Sequence, residues 1–439
     1  MMMKRARRPW HGWHGWHSVH GWRWALALCV LPLLAACAVT GNTTYGPNQP
    51  GTTPKTNPQG TETAPQMNNG ATAYTPQQLR DAYGVTSLIQ KGFTGKGETV
   101  VVIDSFGSPT LQHDFDVFNQ QFGLPALTLD IRAPLGTAPF NPNSQQMQGW
   151  VGETSLDVEI IHAIAPDAKI VVLTSPVDET EGVAGLPQFL QLEQYAVQNH
   201  LGTVVSQSWG ASEITLADAA GRSEIAQWDS FYHTATTQDG VTFFGGSGDS
   251  GATDYTDATI QHLSSTPTTS FPDDEPWVTA VGGTTLTQTG SNTYSESVWN
   301  SNGGASGGGF SRFYPIPSYQ QSLPASVRSA LNGRRGVPDV AACADPAAGL
   351  AIYFAGQWTT AGGTSAATPL WAGIAAIGDQ MAGHSLGFIN PALYTVAMSS
   401  QGAQAFHDIT TGNNGVTNDK GSIQGYNAVP GWDPATGLG

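Results

Sequence analysis

The chain has 439 residues, only 11% of them charged, and its formal net charge at pH 7 is −16. A chain of this length can bury one large core or two ordinary ones, and we expect one large core. The segment before Cys37 holds five basic and no acidic residues, so 12 basic and 33 acidic side chains remain after it. Such an acidic surface argues against nucleic acid and anionic lipid as partners.

Residues 1–37 have the features of an export signal. A basic stretch precedes the apolar run 25–36, which is too short to span a bilayer as a stable helix. The run ends in Leu34-Ala35-Ala36-Cys37, which matches the bacterial lipobox, in which the cysteine is lipidated. We expect 1–37 to be a lipoprotein-type signal segment and Cys37 to anchor an exported protein on a membrane face outside the cytoplasm. The alternative is an ordinary signal, which would leave the protein secreted.

Residues 38–74 are rich in Gly, Thr, Asn, Pro and Gln and hold hardly an aliphatic side chain. They cannot bury enough apolar surface to offset the entropy lost on ordering, which predicts a flexible polar linker. Globular patterning occupies residues 75–439 without a second linker of this kind, which predicts one domain. Cys343 is the one cysteine beyond position 37, so we expect no disulfide in that domain.

Short β-rich runs alternate with helical stretches in this domain. The alternation predicts an α/β fold with a mostly parallel sheet covered by helices on both faces. Ligand sites in such folds lie beyond the carboxyl ends of the strands, and Asp104, Trp209 and Asp249 each follow a strand at that end. The predicted buried strands are 99–103, 169–174, 204–206 and 241–244.

A helix is predicted from about Glu153 to Ile164, bounded by Gly152 and Pro166. Glu153 and Asp157 are four residues apart, so they stack on one helix face, roughly 5–6 Å apart at Cβ. Two carboxylates that close repel when both are ionised, so the pair should share a proton and one apparent pKa should rise. An acidic solvent-facing side would have the same spacing, so the pair alone does not establish a site.

A candidate nucleophile, Ser365, stands in a glycine turn before an Ala-rich helix. Runs 350–354 and 357–360 predict a hairpin that leads into this turn. Ser365 would present its hydroxyl at the positive end of the helix dipole. The alternative is that the serine is only the N-cap of an ordinary helix.

Four separated motifs follow one another along the chain. They are Gly152-Glu153 through Asp157, Ser206-Gln207-Ser208-Trp209-Gly210, Ser247-Gly248-Asp249-Ser250-Gly251, and Gly363-Thr364-Ser365 with Pro369. Together they resemble the sedolisins, serine-carboxyl peptidases with a subtilisin-like fold. The similarity covers roughly residues 75–439, and the ordered set is far more specific than any one motif.

The resemblance implies an acid-acting serine-type peptidase, expected to be an endopeptidase, that forms an acyl-enzyme. By matching positions, Ser365 is the nucleophile and Glu153 is the general base and later the acid. Asp157 orients Glu153 and shares its charge, and Asp249 completes the oxyanion hole. The alternative is a catalytically silent, membrane-tethered homologue that binds peptides without cleaving them.

The resemblance also implies substrate binding at Ser208, Trp209 and Gly210. Asp104 ends a strand like the one that bears the aspartate of an Asp-His-Ser triad, but no His-Gly-Thr-His stretch follows it. The resemblance to some sedolisins implies that Asp104 is an acid behind the pair that extends the carboxylate network, and the alternative is a simple aspartate at a strand end. His162 is interpreted as an ordinary packing or surface residue.

The C-terminal segment resembles the calcium site of the family, with one structural Ca²⁺. By that resemblance Asp408 and Asp433 give side-chain oxygens, while Ile409, Val429 and Gly431 give backbone carbonyls. The usual pattern has Gly where Val429 stands, which is tolerated because the ligand is a carbonyl.

Peptide or denatured protein is the implied substrate, and a monomer is expected. Sedolisins are generally made with a sizeable N-terminal folding domain, for which residues 38–74 are too short and too polar. The sequence does not determine the substrate side-chain preference, nor endopeptidase against tripeptidyl-peptidase action.

Overall fold

The computed structural model describes residues 65, 73–179, 181–418 and 421–439. The predicted signal segment, Cys37 and nearly all of the predicted linker lie outside these residues. Described contacts begin just before the predicted boundary at 75, because Tyr74 is buried and pairs with Leu350. Its hydroxyl also accepts a hydrogen bond from the Gln288 amide (3.2 Å). Tyr74 is thus part of the domain, an anchor that the polar composition around it concealed.

The described residues form ten α-helices and one 3₁₀ turn, Ser318–Ser322. The helices are α1 (Pro76–Ala82), α2 (Val85–Ile89), α3 (Leu111–Phe122), α4 (Gln145–Ile164), α5 (Leu186–Gln198), α6 (Ala219–Thr237), α7 (Ala325–Leu331), α8 (Thr364–Ala382), α9 (Asn390–Ala397) and α10 (Gly402–Ala405).

Eighteen strands lie among the described residues. They are β1 (Thr99–Ser105), β2 (Asp130–Arg132), β3 (Lys169–Ser175), β4 (Val204–Gln207), β5 (Ala211–Ser212), β6 (Thr242–Gly246), β7 (Ser270–Phe271), β8 (Thr279–Gly290), β9 (Thr293–Val298), β10 (Asn300–Ser301), β11 (Gly304–Ala305), β12 (Gly309–Pro315), β13 (Arg334–Val337), β14 (Val340–Cys343), β15 (Ala351–Phe354), β16 (Gln357–Thr360), β17 (Val416–Asn418) and β18 (Gly421–Ile423).

The central sheet has the strand order β14-β8-β6-β4-β1-β3-β2, and every neighbouring pair on this path is parallel. A further strand, β9, pairs antiparallel with the second half of β8. The four strands predicted from the sequence are β1, β3, β4 and β6, with ends within two residues of prediction. The expected α/β fold with a mostly parallel sheet is confirmed.

Helices cover both faces of this sheet, because alternate side chains of each strand point to opposite sides. Val102 and Phe244 belong to a core with α4 and α8, whereas Ile103 and Phe243 belong to a second core with α5 and α6. No helix among the described residues has the length and apolar content needed to cross a bilayer.

Helix α4 begins at Gln145, eight residues earlier than predicted, because Ser144 caps it and accepts a hydrogen bond from the Met147 amide (3.3 Å). Gly152, interpreted as the boundary, lies inside the helix. A Cβ there would stand 3.5 Å from the ring of Phe354, an ordinary van der Waals distance, so the hairpin packs directly over this position of α4. The prediction of this helix start was wrong because glycine usually marks a helix end.

Helices α4 and α8 pack side by side. A Cβ on Gly373 of α8 would come within 2.9 Å of the Ile164 Cβ on α4, so only glycine permits this separation. The close approach brings the first turn of α8 beside the middle of α4, and the two helices carry Ser365 and Glu153.

A buried acid pair outside the cleft also shapes the fold. The single hydroxyl of Ser311 lies 2.6 Å from Glu213 Oε1 and 2.8 Å from Asp274 Oδ2. The hydroxyl has one hydrogen to donate and its oxygen already accepts the Phe313 and Tyr314 amide hydrogens, so the close contact between the two carboxyl groups needs a proton on one of them. Burial and the nearby Glu213 raise the pKa of Asp274 well above its usual range.

Asp274→Asn tests whether this acid must be neutral in the folded chain. The raised pKa of Asp274 makes a contribution to stability that is complete at acid pH and is lost as the pH rises through that pKa. Asparagine keeps a donor at any pH, so we expect Tm to fall less in the variant than in wild type between about pH 4 and about pH 8. Each difference of one in pKa corresponds to about 1.4 kcal/mol in the free energy of unfolding. Differential scanning calorimetry measures it, with exposed Asp239→Asn as control; equal falls in variant and wild type would contradict the shared proton.

Candidate active site

Ser365 is the second residue of α8, directly after the glycine turn that the sequence predicted. Gly363, at φ 80°, caps the helix in a conformation that a side chain would strain. The Ser365 hydroxyl therefore stands at the N-terminus of a 19-residue helix, where the dipole favours developing negative charge.

The hairpin β15-β16 leads into this turn and is held by two acids. Glu159 Oε2 accepts the Tyr353 amide hydrogen and Asp114 Oδ2 accepts that of Ala355, each at 2.9 Å. Glu159 had no predicted role, but in the structure it joins α4 to the hairpin and so fixes the approach to Ser365.

Glu153 lies on α4, and its carboxyl group lies close enough to the Ser365 hydroxyl for that hydroxyl to lower part of its raised pKa. One turn further, Asp157 is fully buried and its Oδ1 accepts a hydrogen bond from the Ser208 hydroxyl (2.8 Å). Ser208 Oγ also lies 3.3 Å from the Ser365 carbonyl oxygen. Ser208 thus bridges Asp157 and the start of α8, a contact that motif matching, which assigned it to substrate binding, did not reveal.

Burial is the largest cause that raises the pKa of both Glu153 and Asp157. Asp104 raises both further by charge repulsion, and Glu153 also raises the pKa of Asp157. The hydrogen bonds from Ser365 and Ser208 only partly offset these shifts. The expected rise of one pKa in the pair therefore extends to both carboxyl groups.

Asp104 lies at the carboxyl end of β1 and is completely buried. Burial raises its pKa to about 7, and the nearby Thr154 partly offsets the shift. The Thr154 hydroxyl donates to the Trp150 carbonyl oxygen (2.8 Å), so neither Asp104 oxygen has a hydrogen-bond donor. Asp104 thus lies close enough to influence both members of the pair, the position expected from the sequence.

Asp249 lies on the other side of Ser365, in the loop after β6. Its Oδ1 accepts hydrogen bonds from the Thr364 amide (2.7 Å) and the Thr364 hydroxyl (3.0 Å). Burial raises the pKa of Asp249, and the two Thr364 contacts lower it again in part. Because Oδ1 has two donors, the proton of the neutral acid belongs on Oδ2, which lies against Gly363.

These groups open into a cleft of about 1110 Å³, whose lining includes Glu153, Asp249 and Ser365. Ser208, Trp209 and Gly210, the predicted substrate-binding residues, form part of its wall. Trp209 is buried and its ring packs on Phe189 with centroids 4.8 Å apart, so it supports the wall more than it faces the opening. The sequence-predicted residues therefore converge on one cleft.

The five residues of the predicted calcium site meet around one turn. Both Asp408 carboxylate oxygens lie 3.0 Å from the Gly431 amide nitrogen, and Asp433 Oδ2 lies 3.0 Å from that of Val429. Ile409 is buried beside them. An all-oxygen set of two carboxylates and three carbonyls suits the chemistry of Ca²⁺. In the part of the chain that the structure describes, no cluster of three or more His, Cys, Asp or Glu side chains could hold a metal.

Two further side chains are explained by packing. His162 is buried, its Nε2 lies 2.9 Å from the Pro125 carbonyl oxygen, and burial lowers its pKa to about 4. Cys343 is buried and unpaired, and burial raises the pKa of its thiol. Neither has the exposure or the charge state of a nucleophile or base.

Sequence reasoning missed four acids in the cleft wall, Asp178, Glu179, Glu181 and Asp254. The signal was present, because Asp178-Glu179-Thr180-Glu181 places three acids in four residues just past the carboxyl end of β3. Without the register of the neighbouring loops, this run could not be distinguished from a solvated turn.

Comparison with known proteins places these features in a wider similarity. Residues 136–400 match the subtilase family. Kumamolisin of Bacillus sp. (strain MN-32) is 36% identical over 379 residues, covering 84% of this chain and 62% of that protein. Sedolisin of Pseudomonas sp. (strain 101) is 34% identical over 378 residues, covering 84% and 60%. The chain thus spans about three fifths of the length of these curated relatives.

One solved structure is similar to this chain over nearly the whole length of the solved chain. The structure is Pseudomonas sedolisin (serine-carboxyl proteinase) complexed with two molecules of pseudo-iodotyrostatin. The similarity has a TM-score of 0.68 at 31% sequence identity and covers 84% of this chain and 95% of that chain.

Proposed function

The chain belongs to the sedolisin family of serine-carboxyl peptidases, within the subtilases, and on that premise we propose that it hydrolyses peptide bonds at acid pH. The observation that carries the proposal is the proximity of the Glu153 carboxyl group to Ser365 at the N-terminus of α8, with both residues lining a cleft large enough for a peptide. The proposed substrate is peptide or denatured protein, cleaved by a monomeric endopeptidase.

In the proposed reaction, the Ser365 oxygen attacks the substrate carbonyl carbon while Glu153 takes its proton. A bond forms between oxygen and carbon, and the carbonyl oxygen becomes an oxyanion. Glu153 then returns the proton to the leaving amine as the peptide C–N bond breaks, which leaves an acyl-enzyme on Ser365. Water releases the acyl group by the same steps, with Glu153 again as base and then acid.

In the proposed mechanism, Asp157 and Asp104 determine whether Glu153 is ionised and can accept a proton. With no described cation among these three buried acids, ionising all of them would be very unfavourable. We place the shared proton chiefly on Asp157, which is fully enclosed, and this leaves Glu153 free to accept one from Ser365. Asp104 acts through Asp157, because its charge raises the pKa of that carboxyl group.

Asp249 completes the oxyanion hole in this proposal. An aspartic acid can donate to an oxyanion only while it is protonated, and burial favours that state. The proton belongs on Oδ2, which lies against Gly363 and so on the side of Ser365. The activity should therefore decline as the pH rises through the pKa of Asp249.

Ser365→Ala should lower kcat at about pH 4 by at least about 10⁴-fold, because no acyl-enzyme can form. The exposed Ser230→Ala serves as control and should retain wild-type kcat. Release of fluorescence from a quenched peptide measures both.

A Ser365→Ala protein that cleaves as fast as wild type would refute this assignment. If instead wild type binds the peptide but cleaves it nowhere between about pH 2 and about pH 8, the silent peptide-binding homologue is the better function.

Asp249→Asn separates the oxyanion hole from the acid pair. The variant should lose up to about 10²–10³-fold in kcat at acid pH, because the amide is a weaker donor in a site built for an acid. An amide donates at every pH, so its remaining kcat should fall less than that of wild type between about pH 4 and about pH 7. A pH–rate profile with the same relative decline in both proteins would assign the decline to Glu153 and Asp157 instead.

We also propose that Asp408, Asp433 and the carbonyl groups of Ile409, Val429 and Gly431 hold one Ca²⁺. The support is their convergence on one turn and their all-oxygen chemistry. When bound, the ion would cross-link residues 408–409 to residues 429–433 and so stabilise the C-terminal region.

Removal of calcium with a chelator should lower Tm. Ca²⁺ at about 100 times its Kd should raise the free energy of unfolding of the calcium-free protein by about 2.7 kcal/mol. Asp408→Asn should abolish this response, because it removes one of two anionic ligands. Calorimetry with and without Ca²⁺ measures both, and exposed Asp239→Asn should respond like wild type. A calcium response that is unchanged in Asp408→Asn would refute this ligand set.

Export through residues 1–37 and lipid attachment at Cys37 remain proposals from the sequence, since these residues lie outside those that the structure describes. A lipid anchor would confine the peptidase to a membrane face, whereas an ordinary signal would release it.

A further inference from the structure

The cleft wall is strongly acidic and carries no compensating positive charge. Six acidic side chains line it, and no Lys, Arg or His side chain does so among the described residues. Glu153 and Asp249 belong to the catalytic site. Of the remaining four, Glu179, Glu181 and Asp254 influence one another electrostatically and form a group that we call the acidic pocket.

Polar contacts hold two of these carboxyl groups in place. Glu181 Oε2 accepts the Ser212 amide hydrogen (2.8 Å) and the Thr215 hydroxyl hydrogen (2.9 Å). Asp254 Oδ1 accepts the Tyr255 amide hydrogen (2.8 Å), while its Oδ2 accepts from the Ser270 hydroxyl. Two carboxyl groups are thus fixed in the wall of the cleft by amides and hydroxyls alone.

Glu179 is different, because one of its oxygens has no partner. The side chain is 9% exposed and lines the cleft, and no described group donates to its Oε1. Glu179 and Gly210 line the same cleft, and the Gly210 backbone lowers part of the raised pKa of Glu179, so this acid lies beside the predicted substrate-binding segment. A buried carboxyl oxygen without a donor, in a pocket without a cation, is the arrangement that a positively charged ligand completes.

We propose that the acidic pocket receives a lysine or arginine side chain of the peptide substrate. The inference rests on the proposed peptidase function and names its substrate class. An ammonium brings three donors and a guanidinium five, which supply Glu179 Oε1 and balance the charge of Glu181 and Asp254. Asp254 also lies within electrostatic reach of Asp249, so the pocket is next to the catalytic site and the basic residue enters it close to the cleaved bond.

The preference for a basic residue should depend on pH. Burial, together with neighbouring acids, raises the pKa of Glu179, raises that of Asp254 to about 6 and raises that of Glu181 to about 8. The other titratable groups facing the pocket are acidic or neutral: Asp178, Asp249, Asp257 and Tyr255. An entering cation therefore displaces a proton, and preference should grow with pH by up to about tenfold per pH unit.

The test first maps cleavage sites in a denatured protein by mass spectrometry, which gives the position of any preferred basic residue relative to the cut. Three quenched peptides then differ only at that position, with Lys, norleucine or Glu. We expect wild type to prefer Lys over norleucine by at least about tenfold in kcat/KM, to cleave the Glu peptide least, and to increase the Lys preference between about pH 4 and about pH 6.

Glu179→Gln and Asp254→Asn should each bring the ratio of kcat/KM for Lys over norleucine towards one and flatten its pH dependence. Asp239→Asn is the control, an exposed acid outside the cleft lining, and should keep the wild-type ratio. Tm values of all variants establish that they fold, and the wild-type comparison of Lys, norleucine and Glu peptides needs no variant.

Equal cleavage of the Lys and norleucine peptides by wild type, or a ratio unchanged in folded Glu179→Gln and Asp254→Asn, overturns the pocket assignment and leaves the peptidase function intact. If wild type cleaves none of the peptides, the proposed function fails separately. Fluorescence anisotropy then decides the pocket alone: tighter binding of the Lys peptide supports it, and equal binding of all three refutes it.

Discussion

Exclusion of water from a set of acidic side chains is the constraint on which the rest of the structure depends. The close packing of α8 on α4, which Gly373 permits against Ile164, closes the space around Glu153 and Asp157. An enclosed carboxyl group with no cation beside it is held most readily as the neutral acid. The same packing that builds one of the two cores therefore also sets the proton state of the catalytic groups, and core and chemistry cannot be separated.

The chain applies the same chemistry away from the cleft. Glu213 and Asp274 both contact the Ser311 hydroxyl and lie in close contact with each other, so one of them must hold a proton. A contrast is Asp339, which is equally buried but faces Arg335 with Nη–Oδ distances of 2.8 and 2.5 Å and is paired as an ion. Asp339 thus has a buried cation beside it, whereas burial without such a cation raises the pKa of Asp274. The folded state and the catalytic site thus both favour acid pH, because burial favours the protonated form of a carboxyl group.

The sheet and the main candidate residues were predictable because each has a local signal. Runs such as 99–103 are apolar enough to be buried strands, and the spacing of Glu153 and Asp157 requires one helix face. The sequence could not show which way individual side chains point or how distant segments of the chain lie against one another. Ser208, in the cleft wall, donates a hydrogen bond to Asp157, and Glu179 lines the cleft beside Gly210. Such contacts join segments far apart in the chain, and no local pattern encodes them.

Two sets of acids with opposite demands lie in and behind this cleft. In the proposed mechanism Asp157 and Asp249 must keep a proton, whereas a pocket for a cation needs acids that can release one. Neither oxygen of the fully buried Asp104 has a donor, and burial raises its pKa to about 7. Asp254 is less buried and accepts from Ser270 and Tyr255, and its pKa rises to about 6. Hydrogen bonds from hydroxyls and amides favour the ionised form of a carboxyl group, and this is the form of Asp254 that a basic substrate needs.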